Sequence, residues 1–462
     1  MTTNSNLFTP VEAVPAKKTW SVGALTYTTG GLVAIFCWLL WGDFAWAMRD
    51  RSILPVMQLM CKKYGATDIV IGLLFSSVPT ALGLLTGPFI CYLSDNHRGR
   101  WGRRIPYLLL TTPFIVASII GLAFAPQIGA YMHRVMGGAM GLDRSVLIFL
   151  GFFLVIFEFA CGIANMIFGG LVYDVVPVSL IGRFYGLFRV VSLLAGILFS
   201  YSLFGKSETH FFWIFLGIGI LYGVGFTMLC LRVKEGSYPP PPRRTETDWM
   251  KRFFAAAGAY LKRGYGNSYY LWYFAATILA SLTVVPGNLY GLYYAMSLHM
   301  SRDAYGKYLS YSFVISLCLA YPLGALADRF HPLRLIIVTT ALGMALSLFN
   351  ALYPFDAHTY GYSLIIGSVL GGAFYTVSLS LPQKLLPRDN FAQIGSAGGT
   401  IGCIVGIAFA PALGIFLDFR DHNYRLIFHI GFVLSAISLV VNIVLHYKFM
   451  VLGGPKHYVA PE

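Results

Sequence analysis

The sequence predicts an all-α integral membrane protein of twelve transmembrane helices, arranged as two pseudo-symmetric six-helix bundles. Three observations carry this. Of 462 residues, 57% are hydrophobic and only 11% charged, where a soluble domain has about 25% charged. The apolar residues fall in blocks of at least about 20, the length that crosses the hydrocarbon core. A polar, proline-broken stretch at 232–266 then divides these blocks six and six, the layout of two bundles that rock against each other.

The span cores read at 30–60, 67–94, 105–125, 145–173, 184–204, 210–231, 267–297, 306–327, 332–353, 360–384, 392–416 and 424–448. The chain thus divides into a tail (1–23), a first bundle (24–231), a linker (232–266), a second bundle (267–449) and a tail (450–462). Twelve spans put both ends on one side. Of the 33 Lys and Arg, 22 fall on that side and 9 on the other, with Arg49 and Arg51 inside the first span. By the positive-inside rule the ends are cytoplasmic. The same bias absorbs much of the net charge of +14, so no nucleic-acid partner is expected. The expected surroundings are a lipid bilayer, with the chain a monomer in a bacterial inner membrane. The seven cysteines are scattered and have no metal-ligand spacing. The N-terminal stretch lacks the short apolar core of a cleaved signal, so the first span is read as an uncleaved one. In the linker, Pro239 to Pro242 precede an amphipathic stretch with Trp249, Phe253 and Phe254, which reads either as a surface helix or as a spacer.

Two segments echo each other. The second span ends in "YLSDNHRGRWGRRIPYLL" and the eighth in "GALADRFHPLRLII". Each sets an acid (Asp95, Asp328) at a helix end, followed by basic residues. Such an acid can accept from a helix N-terminus of the opposite bundle and from nearby Arg. Asp95, Gly102, Arg103, Arg104, Asp328 and Arg329 are therefore candidates for a conformational gate. Asp174 and Arg183 flank the next loop on the same side and are expected to extend that network, with Arg189 at the start of span five joining it.

These segments resemble the loop signature of the major facilitator superfamily, Gly-x-x-x-Asp-Arg-x-Gly-Arg-basic. The first copy is more similar to the glycoside–pentoside–hexuronide cation symporters, and most similar to sucrose-type transporters. Asp95, Gly102, Arg103, Arg104 and Pro106 match without a gap. Cys91 and Asn96 depart from the general signature; the second copy keeps Gly324 and Arg329 but loses the Gly-Arg-Arg tail. The stretch "WGDFAWAMRDRSILP" and the residues after it also resemble the first helix of sucrose-type transporters through Phe44, Trp46, Ala47, Met48, Ser52, Leu54, Pro55 and Gln58. That resemblance implies one helix running to about residue 60 rather than a loop over Met48 to Ser52. Asp43-Phe44-Ala45 is similar to the sugar-site helix of melibiose-permease-like members, which implies a sugar-site role for Asp43.

Helical spacing groups the charges of this span. Asp43 and Asp50 are seven apart and share a face, with Trp46 and Arg49 beside it. Carboxylate, indole and guanidinium together suit a sugar, whose hydroxyls bond bidentately while its C–H face stacks on a ring. Arg51 points away from Arg49 and is expected to pair with another helix or reach the interface. In span four, Glu158 and Asn165 are again seven apart, and Ala164-Asn165-Met166 matches the sucrose-type pattern. The Arg found later in this helix in that family is absent here. The second bundle offers Asn288, Tyr290, Tyr293, Tyr294, Tyr375 and Thr376. The expected solute site is therefore Asp43, Trp46, Arg49, Asp50, Asn165, Asn288, Tyr293 and Tyr375, with Asp43, Asp50 and Glu158 as candidates for cation coupling.

Together these readings predict a secondary transporter of a sugar or glycoside. A proton is the expected coupling ion, because span two has no acid from Ile69 up to Asp95; sodium is the alternative. No resident cofactor or metal is expected. Two other readings are a carrier of an organic anion or amino acid anchored by Arg49, and a non-transporting sensor of the same fold. No nucleophile–base pair, phosphate loop or metal cluster suggests an enzyme.

Overall fold

The computed structural model describes residues 19–22, 24–236, 265–353, 356–378, 380–387 and 391–461. The amphipathic stretch of the linker lies outside the described residues. A hairpin of β1 (Thr19–Val22) and β2 (Leu25–Thr28) comes first. The first bundle is α1 (Thr29–Lys63), α2 (Asp68–Asn96), α3 (Ile105–Val135), α4 (Leu142–Val175), α5 (Val178–Ser202) and α6 (Phe211–Arg232). The second is α7 (Ser268–Ser297), α8 (Arg302–Phe330), α9 (Pro332–Leu352), α10 (Ala357–Ser378), α11 (Phe391–Phe419) and α12 (Leu426–Val451). Each predicted core falls on one of these helices to within a few residues, except that 360–384 runs past the end of α10 at Ser378. Among the described residues, eleven spans are long and apolar enough to cross a membrane. The twelfth helix, α8, has 29 residues and opens on Arg302, Asp303 and Lys307.

The hairpin was not foreseen, since 1–23 reads as a polar tail. It forms because Tyr27 buries its ring against Leu32 of α1 and Leu180 of α5. The Thr28 side chain then accepts from the Gly31 amide and starts α1. Helix α1 continues unbroken through Pro55 to a last turn containing Lys62 and Lys63, cations that suit a helix C-terminus. The loop alternative over Met48 to Ser52 is thereby excluded. Helix α2 carries one π-helical turn, Leu73–Ser77. Pro79 follows it and has no N–H for the carbonyl of Phe75, so the ladder is broken at this point.

The start of α1 and the end of α12 lie on one face of the helix array, here called proximal; the opposite face is distal. The bundles meet most closely toward the distal face, where α2 packs on α11 and α5 on α8. A Cβ on Gly72 would stand 2.5 Å from the Ala410 carbonyl oxygen, and one on Gly306 would stand 2.3 Å from that of Ser200. Backbones this close leave no room for a side chain. Gly306→Val forces the α5–α8 contact apart, and overpacking of this kind costs about 1–3 kcal/mol. Purified Gly306→Val protein should melt several degrees below wild type; an unchanged melting curve would show that this seam is not tightly packed.

Candidate functional site

Helix α1 carries the expected stripe, but the packing splits it. Asp43 is 2% exposed and its Oδ2 has no hydrogen-bond partner. Arg49 is also 2% exposed and lies within the first bundle. Its guanidinium sits 3.9 Å from the Trp46 ring centroid, 5.2 Å from Tyr222 and 5.5 Å from Phe157. Its Nη1 donates to the Cys161 sulfur at 2.9 Å. A weakly hydrated, planar cation suits such an aromatic box. Trp46 is fixed in turn by stacking on Phe168, 6.1 Å between centroids. Two turns further along, Asp50 is 56% exposed and 3.9 Å from Arg49. Glu158 is half-buried and within electrostatic reach of Arg49 and Asp50. Asn165 is exposed.

Arg51 turns the other way, as the spacing requires, and faces the seam between bundles. Its guanidinium lies 4.8 Å from the Phe313 ring of α8. Arg189 lies 5.7 Å from the Tyr375 ring of α10. It sits eleven residues into α5 and has no part in the Asp174 network, correcting the expectation that it begins the helix beside that acid. At 1.5 Å per residue it stands about 16 Å from the helix start. Tyr375 is 55% exposed. The two second-bundle residues expected beside it are elsewhere. Asn288 is exposed and its carbonyl accepts from Gln58 at 3.5 Å, while Tyr293 is buried and donates to the Gln58 carbonyl at 2.9 Å.

On the proximal face, Arg103 grips Asp174 with Nε at 2.9 Å and Nη2 at 2.5 Å. Arg104 bridges Asp174 at 3.3 Å and Asp95 at 2.5 Å. Glu235 accepts from the amides of Arg103, Arg104 and Ile105 at 2.8, 2.8 and 2.7 Å, covering the start of α3. Gly102, at φ +100°, lets the chain turn against Glu235. The network stays within the first bundle, and Asp95 has no described donor from the opposite one. Arg183 is exposed and does not join it among the described residues. Arg329 lies 5.3 Å from the Phe330 ring, while the side chain of Asp328 lies outside those described.

The acid that does reach the opposite bundle is on the distal face. Asp418, at the end of α11, accepts from the amides of Asp68 and Ile69 at 2.8 and 3.0 Å, capping α2. Asp68 is fully buried and collects three more donors: Lys62 at 2.7 Å, His422 Nδ1 at 2.6 Å and Tyr424 at 3.0 Å. Tyr290 of α7 donates to the Asp68 carbonyl at 2.8 Å, and Ser77 of the π turn to that of Ile407 at 2.7 Å. Glu208, in the α5–α6 loop, pairs with Lys63 at 3.2 Å and with Arg302 of α8. Asp68, Asp418 and His422 bring ligand atoms within 4.8 Å of one another, but the carboxylate oxygens already accept from the ammonium, phenol and amides. The distal face is thus held shut by bonds between the bundles. Of these residues the sequence singled out Tyr290 alone, among the tyrosines facing a possible solute; the acids and bases read as ordinary helix-end charges.

The profile of the Major Facilitator Superfamily matches residues 39–411, and again 293–456. Solved structures of similar fold include the xylose transporter XylE from E. coli in an inward-open conformation, with TM-score 0.61, 14% identity, 90% of this chain and 96% of that one covered. The nucleoside transporter NupG gives TM-score 0.62 at 12% identity, with 90% and 100% covered. A bacterial metal transporter gives 0.60 at 14% identity, with 90% and 99% covered. At these identities the likeness speaks to fold and leaves the solute open.

If Asp418 is the distal latch, Asp418→Asn should raise labelling of a distal-seam cysteine by a thiol reagent about tenfold, as loss of about 1.4 kcal/mol would. Unchanged labelling would mean the cap does not hold the face shut. A pH effect should accompany it. Hydrogen bonding from Arg302, then from Lys63, holds the Glu208 carboxyl below its ordinary value of 4.5. Its bridge is therefore complete above that value and is lost as pH falls beneath it. Distal labelling should rise on acidification below about 4.5, and Glu208→Gln should remove that rise.

Proposed function

The chain belongs to the major facilitator superfamily, and from that premise we propose that it carries a sugar or glycoside across the membrane by proton-coupled alternating access. The observation that carries this reading is the state of Asp43. It is buried in the middle of α1, has no cation partner among the described residues, and leaves one oxygen unbonded. An acid kept so far from compensation within a membrane is a functional-site candidate by default, and a proton is the smallest ligand that satisfies it. Two turns along the same helix, Asp50 is exposed, with Glu158 within electrostatic reach. Carboxylates for hydroxyls and exposed aromatics such as Tyr375 for a C–H face suit a sugar. Between Asp68 and Asp95, α2 has no acid, which favours a proton over sodium.

The lysine and arginine bias makes the proximal face cytoplasmic, in a bacterial inner membrane with both ends inside. The conformation described would then be closed to the outside. A proton on Asp43 and a solute at the seam would together favour exchange of the distal seal for a proximal one, in which Asp95 takes up the α11 N-terminus as Asp418 takes up that of α2. A solute anchored on Arg49 is disfavoured, because that guanidinium is enclosed by Trp46, Tyr222 and Cys161.

Proteoliposomes with an imposed pH gradient test the proposal. Wild type should accumulate a sugar only with the gradient. Asp43→Asn should lose at least tenfold in accumulation while keeping gradient-free exchange. Full accumulation by Asp43→Asn would remove the proton site. Binding of sugars without any flux would favour the sensor.

A further inference from the structure

We infer that the solute is held by an oxyanion, a carboxylate or a phosphate, between Arg51 and Arg189. This rests on the reading of the seam as a sugar site and makes the sugar an acidic one. Both arginines lie deep within membrane-spanning helices, one on α1 and one on α5. The charge of Asp50 acts on Arg51, and after it that of Arg189. Neither arginine has a carboxylate within salt-bridge distance or a hydrogen-bond partner among the described residues. Arg49, by contrast, has Asp50 at 3.9 Å and Cys161 at 2.9 Å.

Charge counting points the same way. Three guanidiniums, Arg49, Arg51 and Arg189, face two acids, Asp50 and Glu158, and the buried Asp43 stands apart from them. One positive charge is left over on the seam side, where two like charges repel in a setting that penalises even one. An anion would remove both costs. The geometry suits a planar one. Each guanidinium packs near a ring of the opposite bundle, Phe313 at 4.8 Å and Tyr375 at 5.7 Å. Packing of a guanidinium on a ring leaves its N–H edge for the forked bonds that carboxylates and phosphates accept. Arg189 also reaches to within 3.7 Å of where a Cβ on Gly372 would stand. An anion bound here would therefore touch groups anchored on both bundles and bias their approach.

Calorimetric titration and thermal-shift assays on the purified full-length protein test this, with glucose, glucuronate, glucose 6-phosphate and inorganic phosphate as probes. At least one acidic sugar should bind tenfold or more tightly than glucose. Arg51→Gln and Arg189→Gln should each bring that ratio close to one, and Arg51→Lys should keep part of it. Should the Gln variants not be recovered folded, the wild-type ratio decides alone. Glucose binding as well as the acidic sugars overturns the inference while leaving the sugar reading intact. Inorganic phosphate binding as tightly as the acidic sugars also overturns it, because the anion would then be a separate ion. Failure of all sugars while benzoate binds in an Arg51- and Arg189-dependent way would uphold the arginine pair and refute the sugar reading. No acidic probe binding at all would overturn the pair.

Discussion

A buried carboxylate must collect donors, and Asp68 draws its donors from both halves of the molecule. Lys62 comes from its own bundle, and His422 and Tyr424 from the other. Its own amide is meanwhile tied to Asp418. Separating the bundles at this face would strip a fully buried charge of most of its partners, which is expensive wherever water cannot replace them at once. The close glycine contacts between α2 and α11 follow from this, because only bare backbone lets the α2 N-terminus come within reach of Asp418. Which face is shut, and hence which face the central seam can open toward, depends on this one cluster.

Each face carries an acid at a helix end. On the proximal side α2 ends in Asp95, which is engaged by Arg104 of its own bundle. On the distal side α11 ends in Asp418, which caps α2. The same device, an acid at one helix end meeting the N-terminus of a helix from the other bundle, is made on one face and unmade on the other. Making both at once would require the bundles to close at both ends around the seam. Between the two devices lie Asp43, Asp50, Arg51 and Arg189, on helices α1 and α5, so a charge change there acts on elements that move with the bundle.

The sequence was sufficient for the all-helical membrane fold and for the continuity of α1, because these follow from apolar block length and from a motif whose residues are neighbours in the chain. Spacing also separated Arg49 from Arg51 correctly. It could not say which of them faces the seam, because that depends on how α1 is rotated against α4 and α6, and the packing turned Arg49 toward Trp46 and Cys161. Arg189 was misjudged for a related reason: the apolar block of α5 hid how far its 3₁₀ first turn extends, and the residue lies well inside the helix. The distal latch was illegible because Asp68 and Asp418 are 350 residues apart, and each alone looks like a normal helix-end charge.

The central claim is that the two faces open and close reciprocally. Double electron–electron resonance in lipid nanodiscs tests it most directly, with spin labels at positions 139 and 353 on the distal face and, separately, at 100 and 334 on the proximal face. Each pair should give two distance populations, and conditions that lengthen the distal distance should shorten the proximal one in the same proportion. A distal distance that lengthens while the proximal one stays fixed, or a single unchanging distance on both faces under proton gradient and solute, would contradict the account.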